Sequence, residues 1–189
     1  GDLYWLSQNQ DCEYDKIIFA ENLELDMARY CAEDSENAPF KAISPVRVVS
    51  IEGNNAIVKN IVVDGADEVG LFGFVKGDIE NLTVKNIVAN GNHWVGGIAG
   101  CVAGTITNCH VEKAIIKAEP RLVDNEYDDG DKAGGIVGYS MPDTEDGPSA
   151  TIVGCSVKDA KITAFRDVAG IVGAMNYGDN LKDNSVENI

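Results

Sequence analysis

The chain has no apolar run near the ~18 residues that a membrane-spanning helix requires, so no membrane insertion is expected. Histidine is scarce: His93 and His110 are the only two, and no H-E-x-x-H pair exists to hold a catalytic zinc. Only five prolines accompany the 20 glycines, and the glycines follow no three-residue period, which excludes collagen-like chains. Cations are also few. Fifteen Lys and Arg face 31 Asp and Glu, for a net charge of −16. Such a surface repels phosphate backbones and anionic bilayers, so nucleic acid is excluded as a natural partner. Cationic patches, neutral glycans and divalent cations remain compatible with it. The opening Gly1-Asp2-Leu3 carries no basic stretch before an apolar one. It reads as mature or excised protein and leaves an extracellular location open.

Apolar content is 44% and charged content 24%, ordinary values for a chain that buries one core. The five cysteines divide unevenly. Cys12 and Cys31 lie in the non-repetitive N-terminal region, where pairing is open; Cys101, Cys109 and Cys155 lie among repeats.

Those repeats organise the chain. A Gly-Leu/Ile-apolar-Gly unit occurs as Gly70-Leu71-Phe72-Gly73, Gly97-Ile98-Ala99-Gly100, Gly135-Ile136-Val137-Gly138 and Gly170-Ile171-Val172-Gly173. A second unit follows each copy, beginning Ile79-Glu80-Asn81-Leu82, Ile106-Thr107-Asn108-Cys109 and Ile152-Val153-Gly154-Cys155, with a weaker version from Leu181 to Ile189. A half-copy, Asn55 to Ile61, precedes them all. The repeat cores fall near 70–91, 97–118, 135–164 and 170–189, and clean insertions separate some of them. The units are rich in Val, Ile and Thr and alternate with period two, which is strand behaviour. Leu82/Val84, Cys109/Val111 and Cys155/Val157 fall on one face.

Short strands punctuated by Gly and Asn, with no helix-length pattern between them, predict an all-β fold. The expected form is a right-handed parallel β-helix, or β-solenoid, of about four to five coils over residues 16–189. Each coil buries its apolar face only against its neighbours, about 4.8 Å away. Stacking would place Asn55, Asn81 and Asn108 in a ladder at one corner. The repeat glycines would sit where the backbone needs positive φ or close approach. Cys109 would lie over Cys155 as a small apolar residue. Residues 1–15 would form an N-terminal cap, with Asp2 as N-cap of a short helix and Leu3 and Leu6 on its inner side. At the other end Ile189 holds the place of Ile87 in mid-strand. That edge calls for a continuing parent, a partner, or end-to-end self-association at the C-terminal coil.

The Gly-Gly-Ile-Ala-Gly and Asn-Cys-His-Val segments resemble the GLUG repeat family of bacterial surface proteins, whose consensus is similar to VGGLVG…G-I-x-N-C-x-V. Residues 16–27 and 51–60 are similar to the segment that precedes such repeats. Gly154 departs from the usual Asn, and Asn184 from the usual Cys or Leu, which puts the regularity of the last coil in doubt. The resemblance implies a secreted or cell-surface protein with a role in adhesion or an unknown role, and no catalytic residues.

Two insertions hold the remaining chemistry. The first carries Asp124, Glu126, Asp128, Asp129 and Asp131, a carboxylate cluster whose plainer reading is a solvated acidic loop and whose oxygens would also suit Ca²⁺. No other cofactor is expected. The second carries Asp143, Glu145 and Asp146. Tyr127 and Tyr139 would add aromatic contacts, and inserted loops on solenoids are common binding surfaces. A bacterial or host surface protein, or a glycan, is the expected partner. Two rivals stand beside adhesion: a structural spacer, and a fragment of a β-helix polysaccharide-degrading enzyme. The enzyme reading needs carboxylates gathered across coils. The outward column Lys59, Lys85, Glu112, Lys158 and Glu187 instead has the mixed charge of cross-strand pairing.

Overall fold

A computed structural model of the chain describes residues 1–10, 13–31, 38–44, 50–123, 126–128, 131–142 and 150–189. The structure is predominantly β, with parallel sheets of which one is strongly curled. That sheet carries two long bent strands, Ser50–Asp64 and Asp78–Gly91, which pair side by side. Shorter strands extend it in register: 105–107, 110–112 and 115–118, then 151–153, 156–158 and 161–164, then 180–182 and 185–187. Lys16–Ile18 and Glu24–Asp26 flank the other side. Two smaller parallel sheets hold the glycine units. One pairs 72–75, 99–102, 137–140 and 172–174; the other pairs 95–96, 132–134 and 167–169.

Register places like on like. Ile51, Ile79, Ile106, Ile152 and Leu181 form one column, and Val58, Val84, Val111, Val157 and Val186 another. All but the last member of each column are buried. Burying one such side chain contributes roughly 1.5–3 kcal/mol, so each layer added to a column stabilises the stack. Cys109 and Cys155 continue the column of Ala56 and Leu82, and the Cys109 N–H reaches the Cys155 Sγ at 3.5 Å. The outer column runs Asp26, Lys59, Lys85, Glu112, Lys158, Glu187, with ion pairs Lys85–Glu112 at 2.9 Å and Lys158–Glu187 at 3.2 Å.

Corners come from residues in the left-handed region. They occur in pairs five positions apart: Asn55 and Asn60, Asn81 and Asn86, Asn108 and Lys113, Gly154 and Asp159, Asp183 and Asn188. Asn adopts this backbone more readily than other L residues because its amide bonds locally. The amides also bond along the stack: Asn108 Nδ2 donates to Asn81 Oδ1 at 3.0 Å, Asn86 Nδ2 to Asn60 Oδ1 at 2.7 Å, and Asn188 Nδ2 to Asp159 Oδ1 at 2.9 Å. Gly154, which breaks the Asn pattern, takes the same conformation with φ +65°.

The repeat glycines serve close approach and not positive φ. A Cβ on Gly135 would lie 2.2 Å from the Gly170 carbonyl oxygen, and one on Gly138 would lie 2.3 Å from the Trp94 carbonyl carbon. The last strands also keep register, pairing Ser156 with Ser185 and Val157 with Val186. Asn184 secures them: it donates to the Ile152 carbonyl and accepts the Cys155 N–H, both at 2.8 Å.

The N-terminal helix spans Asp2–Gln8. Gly1, not Asp2, is its N-cap, and Asp2 sits in the first turn, where its charge still favours the helix dipole. Leu3 is buried and Leu6 half-buried against the core. A short helix at Ala28–Cys31 follows the strand Glu24–Asp26, and Tyr30 stacks on Tyr4 at 4.5 Å. Cys31 is a half-buried thiol; its suggested partner Cys12 lies outside the described residues.

Candidate functional site

Side chains of three neighbouring strand layers converge beside the glycine units. Trp94 closes the first layer with φ 48°, a conformation its bulk disfavours and which the pairing of Val95 with Val69 and Ala133 holds in place. The Asp131 N–H donates to the Asn92 carbonyl at 2.9 Å, and the Asp167 N–H donates to the Asp131 carbonyl at 2.9 Å, so these segments are tied by backbone.

Asp131 is the electrostatic centre. Its carboxylate is only 13% exposed and sits among three cationic or titratable nitrogens. Lys132 Nζ contacts Oδ2, His93 Nδ1 lies 3.9 Å from Oδ2, and Arg166 Nε lies 3.8 Å from Oδ1. Oδ1 is buried without a hydrogen bond, as is the Trp94 Nε1. Lys132 also lies over the Tyr139 ring, 5.6 Å from its centroid, and Trp94 meets the same ring at 5.3 Å with a 38° tilt. The Tyr139 hydroxyl donates to Asn176 Oδ1 at 2.9 Å. Asp179 anchors that end, accepting from the Ser140 hydroxyl at 2.5 Å and from the backbone N–H groups of Ala150 and Asn176, each at 2.8 Å.

The two insertions therefore leave one strand layer on either side of this cluster. The first returns at Asp131 and the second departs after Ser140. The first is not a plain loop: Arg121–Val123 and Glu126–Asp128 pair as an antiparallel hairpin, with Leu122 opposite Tyr127. Of the residues singled out in the sequence, Tyr139 and Asp131 share the cluster, while Glu126, Tyr127 and Asp128 form the hairpin's second strand. Asp124, Asp129, Asp143, Glu145 and Asp146 lie outside the described residues. Among the described residues no group of three or more His, Cys, Asp or Glu is placed to hold a metal ion.

Trp94, Lys132, Arg166, Asn176 and Asp179 were not singled out. The signal for two of them was in the repeats. Trp94, Lys132 and Asp167 each stand three places before a repeat glycine, and the register puts them in one column.

Cys101, paired with Tyr139, is fully buried, and burial, aided by the charge of Glu68, pushes its thiol up to about 12. Burial also raises Cys109 and Cys155. All three stay protonated and unreactive near neutral pH. His110 is bonded through Nδ1 to the Ser156 hydroxyl at 2.7 Å, on the opposite face from Cys109. What the cluster does offer is two tilted aromatic rings, a carboxylate, a primary amide and an ammonium group within three layers.

No family model matches the chain, and no solved structure matches it. Among curated proteins, 98 residues are 33% identical to halomucin of Haloquadratum walsbyi (strain DSM 16790 / HBSQ001). That match covers 50% of this chain and 1% of halomucin, so the chain spans a very small part of that relative.

Proposed function

We propose that the chain is a right-handed parallel β-solenoid module of the GLUG type, secreted or displayed at a bacterial surface. In this reading it works by non-catalytic binding of a surface glycan or protein beside its two insertions. The observation that carries the reading is Lys132. It pairs with Asp131 where the first insertion ends and covers Tyr139 just before the second begins. One residue thus gathers the bases of both insertions around an aromatic pair, the arrangement expected of a binding patch and not of a spacer.

The solenoid reading is supported by the register of like residues over successive repeats and by paired left-handed corners five residues apart. The right hand follows from the chirality that parallel crossover connections obey in ~98% of cases. Against catalysis stands the outer column, whose Lys and Glu side chains neutralise one another across neighbouring strands.

A glycan array probed with the full chain, with and without added calcium, tests the proposal. Binding that Tyr139→Ala and Trp94→Ala weaken together supports it. An array that stays blank, with the same variants unchanged in a whole-cell adhesion assay, assigns the module to spacing. A calcium-linked rise in melting temperature would add the Asp124–Asp131 segment to the site.

A further inference from the structure

We propose that the patch at Tyr139 continues along the stack to Phe74, and that this ribbon binds a linear neutral glycan whose sugar rings advance by about one layer each. The inference rests on the binding reading above and names its ligand class and direction.

Register builds the ribbon. Phe74 pairs with Cys101 and Cys101 with Tyr139, so the two rings stand in one column on one face. At about 4.8 Å per layer they lie roughly 10 Å apart along the stack. Glu68 and Trp94 form the column beside it, in left-handed backbone with φ 53° and 48°. Each leans on the strand of the next layer. A Cβ on Gly100 would meet the Glu68 carbonyl carbon at 2.2 Å, and one on Gly138 the Trp94 carbonyl carbon at 2.3 Å. Trp94 thereby reaches the Tyr139 ring, and Glu68 takes the matching place beside Cys101, on whose thiol its charge acts. The rings at the two ends of the ribbon are alike. Lys76 Nζ lies 5.5 Å from the Phe74 centroid, and Lys132 Nζ lies 5.6 Å from that of Tyr139.

Chemistry selects a sugar chain. Trp94 is half-buried with its Nε1 inside, and the half-buried Tyr139 has its hydroxyl held by Asn176, so both rings show carbon to solvent. Such a surface suits the C–H face of a pyranose. The Lys ammonium groups donate to the hydroxyls at its edge, and the Glu68 carboxylate accepts from them. A peptide strand has no backbone edge to join here. Strands 99–102 and 137–140 are paired along both edges, and the Gly73 and Phe74 N–H groups bond to the Ile43 carbonyl and the Ser44 hydroxyl. Glu68 and Asp131, on a chain of net charge −16, turn away a polyanion. Rings set along a straight column call for a sugar chain that extends and does not coil.

The test is calorimetric titration of the full chain with cello-, xylo- and chito-oligosaccharides from the monosaccharide to the hexasaccharide, beside maltohexaose, whose chain coils. Affinity for at least one extended series should rise about tenfold or more from disaccharide to tetrasaccharide, as the second end ring is engaged. Phe74→Leu keeps an apolar side chain, loses the ring and should remove most of that rise. Glu68→Asn suits the left-handed backbone, withdraws the carboxylate and should weaken the tetrasaccharide about fivefold. Ile115→Thr, on the exposed face of the curled sheet, should change nothing. Binding without length dependence, or equal binding of maltohexaose, overturns this inference and leaves the binding patch standing. So does a branched glycan or a protein found as the ligand of the patch. No binding to any of these sugars, together with a blank array and unaltered adhesion, removes both readings.

Discussion

The Asn108 side chain donates from Nδ2 to Oδ1 of Asn81 at 3.0 Å, while both residues hold left-handed backbone with φ 56° and 53°. One residue type thus supplies a corner and a tie between layers. The two roles separate by substitution. Asn108→Gly keeps the backbone and loses the amide bond, a loss of about 1 kcal/mol. Asn108→Ala loses the bond and adds left-handed strain, for a total near 2–3 kcal/mol. Urea unfolding of the two variants should rank them in that order; equal losses would mean the corner conformation matters little.

Lys113 occupies the second corner of its layer at φ 55°, where the layers on either side have Asn86 and Asp159. A long exposed side chain gains nothing from that backbone. Lys113→Asn should therefore stabilise by about 1 kcal/mol, read as a higher urea midpoint with unchanged slope. A neutral or lower midpoint would show that the Lys113 side chain holds a contact worth more than the strain.

Much of this layering is legible in the residues before any coordinates. The period-two faces, the Asn55–Asn81–Asn108 column and the charge column all follow from aligning repeats, because in-register parallel pairing puts equivalent positions on one another. What alignment leaves open is how the glycines are used. Positive φ and close approach both demand Gly, and only the stack shows that Gly97 and Gly135 answer to a neighbouring carbonyl. The cluster around Asp131 is harder still to read. Lys132, Arg166 and Asn176 reach it from different layers, and their convergence depends on where insertions leave the stack, which has no periodic signature.

Two glycines make the contrast testable. Gly135→Ala places a Cβ against the Gly170 carbonyl oxygen, and only backbone movement can relieve it. A loss of about 3 kcal/mol or more is expected. Gly154 has φ +65°, and a Cβ there would find only Asn108 Oδ1 at 3.7 Å and Asn108 N at 3.9 Å. Gly154→Asn meets no clash, and the left-handed strain of an L residue offsets what a stiffer unfolded chain and a restored amide tie return, so a change within about 0.5 kcal/mol of zero is expected. Thermal unfolding of both variants decides the matter; comparable losses would contradict the distinction drawn between the two sites.

Cys101 makes stability depend on alkaline pH in a fixed direction. Its thiol is held up to about 12 by burial and by the charge of Glu68, against an ordinary 9.0. Above pH 9 the unfolded chain releases this proton while the folded chain keeps it. The unfolded state then binds fewer protons, and stability falls as pH rises. The contribution of the neutral thiol is complete below pH 9 and is lost as pH climbs toward 12. Cys101→Ala leaves a small cavity, which costs about 1 kcal/mol at pH 8, and removes this particular decline. The stability gap between wild type and Cys101→Ala should therefore shrink above pH 9, close at about pH 10 and reverse by about pH 11, since the decline approaches about 1.4 kcal/mol per pH unit; lysine and tyrosine titrations cancel in that difference. Guanidinium unfolding of both proteins across the range measures it. A gap that stays constant would mean that Cys101 ionises as readily in the folded chain as in the unfolded one.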